Sequence, residues 1–248
     1  MPPRVYVDLP LQQLSVFELP ADAVRHIQVL RLQPGSELTL FNGRGGEWPA
    51  EVIRMGRSEC EVKVASQIVV DRELPAAVSL AIGMPTNERM DGVIEKATEL
   101  GAAAIEPLIC ERSVLRLSGE RAERRCSHWQ AIAVAAAEQC GRTRVPSVSP
   151  ISTFAAALST PRAGDDAQWL VLSLGAAARP AAEVLAPLLA ERRPLRIFSG
   201  PEGGLSPAEE RAVAQAGALP LGLGPRVLRA DTAPLAVLAL IGALGAAA

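Results

Sequence analysis

The sequence predicts an α/β protein: a mostly parallel sheet with its helices, preceded by a small strand-rich domain. Three observations carry this. From residue 78 onward, short apolar runs alternate with amphipathic stretches, the pattern of a parallel sheet with crossover helices. Late in the chain, two apolar runs each end in a glycine-bearing loop followed by a helix start. Such loops are where open α/β sheets bind ligands. Before residue 74, short alternating runs are separated by glycine turns, which predicts a small β-barrel. The boundary is set at 1–73 and 74–248, with residues 71–75 as the linker.

In the first segment, Arg4, Val5, Tyr6, Val7 and Asp8 alternate, as do residues 37–41. Residues 42–46 read as a turn, and Glu51, Val52 and Ile53 continue beyond it. Cys60, Val62 and Val64 alternate with Glu59, Glu61 and Lys63, which describes a half-buried strand. Residues 20–32 read as one helix with Val24, Ile27 and Leu30 inward. Arg25, His26, Arg31 and Arg44 form a candidate basic edge. From spacing alone, a solvated charged face fits them equally well.

In the second segment, residues 78–83 form a strand, and Asn87 caps a helix carrying Met90, Val93, Ile94, Ala97 and Leu100. Residues 102–110 are the next apolar run. Ser118 opens a long helix through Trp129, Ile132 and Ala136 to about Cys140. Residues 169–174 read as a strand and 181–190 as a helix. Leu195, Ile197 and Phe198 form a strand that runs into Gly200, Pro201, Glu202, Gly203 and Gly204. Ser206 and Glu209 then make a capping box, with Pro207 at the first helical position. That helix runs to about Ala216, and Gly217 follows it. A second loop, from Leu223 through Gly224, Arg226, Val227, Leu228 and Arg229, leads into a helix at Thr232 and Ala233. The apolar tail beyond is shorter than the roughly 20 residues of a membrane span and reads as a buried helix. Met84 and Met90 read as core.

Composition narrows the function. With 248 residues and 49% hydrophobic content, the chain can bury a sizeable core in one large or two modest domains. The net charge is −2, so any nucleic-acid contact must come from a local patch. Lys63 and Lys96 are the only lysines, so arginine supplies nearly all the positive charge, a residue suited to phosphate and base contacts. Cys60, Cys110, Cys126 and Cys140 lack C-x-x-C spacing, and no signal-peptide pattern opens the chain. Together these predict a reducing, cytoplasmic setting without disulfides or zinc. With only His26 and His128, a histidine-rich metal site and a Ser-His-Asp arrangement are both disfavoured. A G-x-G-x-x-G loop with a downstream ribose-binding acid is absent, as is a G-x-x-x-x-G-K-[ST] loop. Rossmann-type and P-loop chemistry are therefore disfavoured.

The two late loops, read together, resemble the SPOUT class of RNA methyltransferases, and within it the ribosomal RNA small subunit methyltransferase E family. The carrying residues are Gly200-Pro201-Glu202-Gly203-Gly204 and Leu223-Gly224-x-Arg226-Val227-Leu228-Arg229-x-x-Thr232-Ala233. Residues 95–101, Glu111-Arg112-Ser113 and residues 138–146 agree, as do residues 26–32 with 40–43. The likeness runs from about residue 4 to 242, with Asp231 standing where the family is expected to have Glu.

The resemblance implies a PUA-like N-terminal barrel and a trefoil-knotted methyltransferase domain. It implies a homodimer that binds S-adenosylmethionine in the knot and methylates N3 of one uridine of 16S ribosomal RNA, position 1498 in standard numbering. Cofactor contacts are expected at Leu174, Gly175, Gly200, Pro201, Glu202, Gly203, Gly204, Leu223, Gly224, Val227, Leu228, Thr232 and Ala233. Glu202 is expected at a ribose hydroxyl or at the substrate. Arg142 and Arg229 are the candidate catalytic arginines beside the uracil, with structural ion pairing an equal reading for both. RNA contacts are expected at Arg25, His26, Arg31, Arg44, Arg112 and Arg144. No metal is required. Two alternatives stay open: a SPOUT methyltransferase acting on tRNA or another ribosomal site, and a non-catalytic RNA- or nucleotide-binding protein that uses the helix after residue 206 as an anion site.

Overall fold

The structure is a computed structural model that describes residues 2–11, 15–159 and 166–245. The chain divides into two compact units: Met1–Arg72 with Val134–Val145, and Glu73–Ala133 with Pro146–Ala248.

The first unit contains strands β1 (Arg4–Tyr6) and β2 (Val16–Glu18), helix α1 (Ala21–Val29), and strands β3 (Glu37–Phe41), β4 (Trp48–Met55) and β5 (Cys60–Val64). The five strands form one sheet in the order β1-β3-β4-β5-β2. The β1–β3 pair is parallel and the others are antiparallel. A register shift between Val52 and Arg54 bends β4, as a bulge does. Val5, Ile27, Leu40, Val52, Cys60, Val62 and Val64 are fully buried in its core. Lys63 stays exposed between two buried valines, as period-two alternation requires.

Two expectations fail locally. Leu30 is 39% exposed instead of inward, because α1 ends at Val29 and Arg31 takes φ 57, turning the chain out of the helical face. Strand β2 lies outside the elements expected from sequence; at three residues, with only Phe17 packed on the core, it is too short to show an alternation.

Residues 134–145 join this unit through polar contacts. Glu138 Oε1 accepts the Tyr6 N–H at 2.8 Å and lies 3.2 Å from His26 Nδ1. Arg4 and Arg72 both reach Glu47, at 2.5 and 3.2 Å, while also donating to the carbonyl oxygens of Arg142 and Gly141. Burial alone would raise the Glu47 carboxyl, but the two guanidiniums outweigh it and hold the pKa below the ordinary value.

The second unit begins with β6 (Val78–Gly83), α2 (Asn87–Glu99) and β7 (Ala104–Ile109). Helix α3 (Gly119–Cys140) follows, counted to the first unit from Val134 onward, then β8 (Ser147–Val148), β9 (Ser152–Thr153), α4 (Phe154–Ser159) and β10 (Gln168–Leu172). The rest is β11 (Arg179–Pro180), α5 (Ala181–Ala190), β12 (Leu195–Ser199), α6 (Pro207–Gln215), β13 (Leu219–Gly222) and α7 (Thr232–Gly245). Its sheet runs β11-β13-β10-β12-β6-β7-β8, with β9 also on β7. Every pairing in it is parallel, which confirms the predicted class. Strand β12 enters between β6 and β10, and β13 between β10 and β11. The chain thus returns to the middle of a sheet whose flanking strands precede it in sequence. Helix α7 packs on α5, α2 and β12.

The capping box at Ser206 and Glu209 forms as read, with Pro207 opening α6. Asn87 is not the cap of α2. Thr86 holds that position without a side-chain cap of its own, and its N–H is taken instead by Glu202 Oε1 at 3.0 Å. The strand expected over residues 169–174 closes at Leu172, leaving Leu174 67% exposed. Arg196 lies inside the apolar β12 run and is 4% exposed. It donates to Glu106 Oε2 at 2.6 Å and to the Ala157 carbonyl at 3.1 Å, and its guanidinium stacks on Trp169 and Phe198.

Candidate active site

Three parallel strands, β10, β12 and β13, sit side by side, so the loops that leave their C-terminal ends emerge together. This is where a parallel sheet offers backbone groups to a ligand. Those loops line a cavity of about 540 Å³, inside the roughly 300–1,000 Å³ range of small-molecule sites.

From β10 come Leu172, Ser173 and Leu174; from β12, residues 199–205; from β13, Leu221, Leu223 and residues 226–230, with Ala233 of α7. Arg89 of α2 and Glu210 of α6 complete the wall. Leu174 and Val227 are 67% and 79% exposed, so two apolar side chains of the lining remain largely uncovered.

The 200–204 loop is tight for a steric reason. A Cβ on Gly200 would stand 2.7 Å from the Leu205 nitrogen and 2.8 Å from the Gly204 carbonyl carbon, and Gly204 has φ +70. Neither position suits a larger residue. The Gly204 N–H closes the turn on the Pro201 carbonyl at 2.8 Å.

A polar clasp holds this loop against residues 110–118. Arg112 Nη1 donates to the carbonyls of Gly203 and Leu205 at 3.0 and 3.3 Å. In return, Glu209 Oε1 accepts the Glu111 N–H at 2.8 Å, while its Oε2 accepts the Ser206 N–H. Cys110 begins the same segment, and burial, with Glu209 nearby, pushes its thiol up to about 12.

The expected residues divide as follows. Leu174, Gly200, Pro201, Glu202, Gly203, Gly204, Leu223, Val227, Leu228, Ala233 and Arg229 line the cavity. Gly175, Gly224 and Thr232 do not line it but neighbour residues that do. The Gly175 N–H bonds to Ser173 Oγ at 3.0 Å, and the Thr232 and Ala233 N–H groups both bond to the Arg229 carbonyl at 3.0 Å.

Arg142 belongs to the first unit and is 3% exposed. Arg25, His26, Arg31, Arg44 and Arg144 are also in the first unit, whereas Arg112 is in the second. Arg25 contacts Asp22, and Arg44 pairs with Asp8 at 3.3 Å. Arg31 is exposed, and Arg44 and Arg144 are bridged through their backbones.

Arg89, Arg226 and Glu210 line the cavity without having been singled out. Arg226 sat unassigned inside a quoted motif. Arg89 carried one signal, a positive charge in the first turn of a helix, where the macrodipole disfavours it. Among the described residues there is no cluster of three or more His, Cys, Asp or Glu suited to a metal. None of the described helices is long and apolar enough to cross a membrane.

Comparison with known proteins agrees with this architecture. Residues 72–242 match the model of an RNA methyltransferase domain, and residues 19–65 that of an RNA methyltransferase PUA domain. The ribosomal RNA small subunit methyltransferase E of Bacillus subtilis is 31% identical over 96% of this chain and 95% of its own length. The Synechocystis protein of the same name is 35% identical over 88% of this chain and 69% of its own. The crystal structure of the Neisseria gonorrhoeae enzyme of that name, bound to S-adenosyl methionine, superposes with a TM-score of 0.90 at 33% identity, covering 98% of each chain. A Legionella pneumophila methyltransferase in complex with the same cofactor gives 0.89 at 33% identity, again over 98% of each chain. With a parallel α/β unit, a PUA-type sequence segment and full-length relatives of one name, the chain belongs to the ribosomal RNA small subunit methyltransferase E family.

Proposed function

We propose that this protein is an S-adenosylmethionine-dependent methyltransferase acting on N3 of a uridine in 16S ribosomal RNA. It works in the cytoplasm as a homodimer on RNA presented in a small-subunit particle. In the same reading, the sheet of the first unit closes as a PUA-like barrel, and the return of β12 and β13 into the middle of their sheet reflects a trefoil knot. The observation that carries the activity is the cavity at the C-terminal ends of β10, β12 and β13, lined by the two glycine-bearing loops. The cofactor-bound relatives support its assignment.

The residues present fit the cofactor. Leu174 and Val227 offer an apolar seat for adenine, and the 200–204 loop brings backbone to the cavity wall. Glu202 holds the Thr86 N–H with one carboxylate oxygen; its other oxygen is the acceptor we assign to a ribose hydroxyl. When bound, S-adenosylmethionine supplies an activated methyl group on a sulfonium, which needs no metal.

This chain's residues then have to position the uracil and manage its N3 proton, since N3 is a poor nucleophile until that proton leaves. Arg229 lines the cavity, and its planar guanidinium suits the uracil oxygens on which negative charge develops. A preorganised donor of this kind contributes on the order of 3 kcal/mol. Loop-held positioning of base and methyl donor supplies much of the rest.

The test is a single-turnover assay across neutral pH. The rate should climb with a log–log slope near ~1 until the bound base ionises. Arg229→Lys should lose much of the rate, and Glu202→Gln should chiefly weaken cofactor binding. A flat profile with chemistry limiting would refute the anionic mechanism. So would a Glu202→Gln enzyme with normal cofactor affinity and no turnover.

A further inference from the structure

We infer that Arg89 and Arg226 form a seat for an RNA phosphate beside the cavity, gripping the backbone next to the nucleotide whose base enters. This deepens the reading above and rests on it.

The charge balance of the molecule makes such a patch necessary. The net charge of the chain is −2, so the whole molecule does not attract a polyanion, and affinity must be concentrated locally. Three arginines, Arg89, Arg226 and Arg229, line this one cavity against two carboxylates, Glu202 and Glu210. Three minus two leaves an excess of one positive charge there. One of the carboxylates already accepts the Thr86 N–H.

Several arginines elsewhere on the surface are spent on acids, although Arg31, Arg57 and Arg211 are exposed without one among the described residues. Arg25 meets Asp22, Arg44 meets Asp8, Arg54 meets Glu59 and Glu61, and Arg124 meets Glu120. Among the described residues, no carboxylate pairs with Arg89, Arg226 or Arg229.

The placement of Arg89 points the same way. It sits in the first turn of α2, where the helix macrodipole favours acids such as its neighbour Glu88. A cation held there without a partner is poised for an external anion. Arg226 is exposed on the loop after β13, while Arg89 is half-buried. Both side chains therefore keep surface on which an anion can be met. A phosphodiester with two free oxygens suits two planar forks.

The cofactor's own carboxylate is the other anion that this chemistry admits, and the experiment separates the two. RNA binding would be measured from 50 to 200 mM salt for wild type, Arg89→Ala, Arg226→Ala and Arg211→Ala, with cofactor affinity measured separately by calorimetry. Arg211 is exposed on α6 and does not line the cavity, so it controls for loss of charge alone.

Removing one phosphate contact to a single strand should reduce the log–log salt slope by about 0.7. Arg89→Ala and Arg226→Ala should each show this with cofactor affinity unchanged, Arg89→Lys should retain the slope, and Arg211→Ala should match wild type. Cavity variants indistinguishable from Arg211→Ala would overturn the inference. It would also fall if they lost cofactor affinity, which would assign the arginines to the cofactor carboxylate. A wild-type protein that binds neither cofactor nor RNA would instead overturn the functional reading beneath it.

Discussion

Gly83→Ala puts one methyl group beneath the 200–204 loop. Gly83 is the last residue of β6, and a Cβ there would stand 2.5 Å from Pro201 Cδ, 2.6 Å from Pro201 N and 2.8 Å from Cys110 Sγ. Ordinary Cβ contacts begin at 3.4 Å, so Pro201 or β6 must give way by 3.4 − 2.5 = 0.9 Å. Two of the three obstacles belong to a proline ring and its backbone, which cannot rotate aside. Overpacking of this kind costs about 1–3 kcal/mol, which lowers Tm by roughly 2–12 °C at about 2–4 °C per kcal/mol. The larger effect falls on the site, because Pro201 carries the 200–204 loop, and a displacement near 1 Å costs on the order of 100-fold in a positioned reaction. Calorimetry should show cofactor affinity at least ~10-fold weaker, or about 1.4 kcal/mol, in a variant that still unfolds cooperatively. Gly92→Ala is the control: it lies inside α2, with nothing within 4 Å of its Cβ and no left-handed φ. It should raise stability by roughly 0.5–1 kcal/mol. A Gly83→Ala protein with wild-type Tm and cofactor affinity would refute the argument that this packing positions the loop.

Arg196→Met should destabilise the second unit by roughly 3–5 kcal/mol in urea, because it leaves the Glu106 carboxylate buried without its guanidinium. Adding Glu106→Leu should recover most of that loss, and a double variant as unstable as the single would contradict the pairing. Arg112→Ala should loosen the 200–204 loop and weaken cofactor binding, with Arg112→Lys a partial rescue at best. RNA affinity lost with cofactor affinity intact would return Arg112 to the RNA-contact role expected from sequence. Glu47 has a folded-state pKa below the ordinary 4.5, so its contribution is present above that value and lost as pH falls through the folded pKa. Glu47→Gln should therefore lower stability at neutral pH and flatten the acid limb of the stability curve below about pH 4.5; an unchanged limb would contradict this.

What could be read from sequence was local. The capping box at Ser206 and Glu209 lies within four consecutive residues and forms as read, and α5 begins and ends where its apolar pattern does. What escaped was set by distant partners. Thr86 displaced Asn87 as the cap because Glu202, 116 residues away, takes its N–H. Arg196 gives no local signal inside its apolar run because its partner Glu106 is 90 residues distant. Arg89 and Arg226 become site residues only when the sheet brings the end of β13 and the start of α2 to one cavity. The two glycine-bearing loops are legible singly because each carries its own strand, turn and helix start. Their convergence required the insertion of β12 and β13 between earlier strands, which no local pattern encodes.

The central claim is methyl transfer to a uridine base of small-subunit RNA. It is tested most directly by mass spectrometry of ribosomal RNA nucleosides from a bacterial strain lacking its own ribosomal RNA small subunit methyltransferase E, with and without this protein. The account predicts that N3-methyluridine in 16S RNA is absent without the protein, restored by it, and not restored by Gly83→Ala at wild-type abundance. An unchanged nucleoside profile, or a ribose 2′-O-methyl or cytosine product in its place, would contradict it.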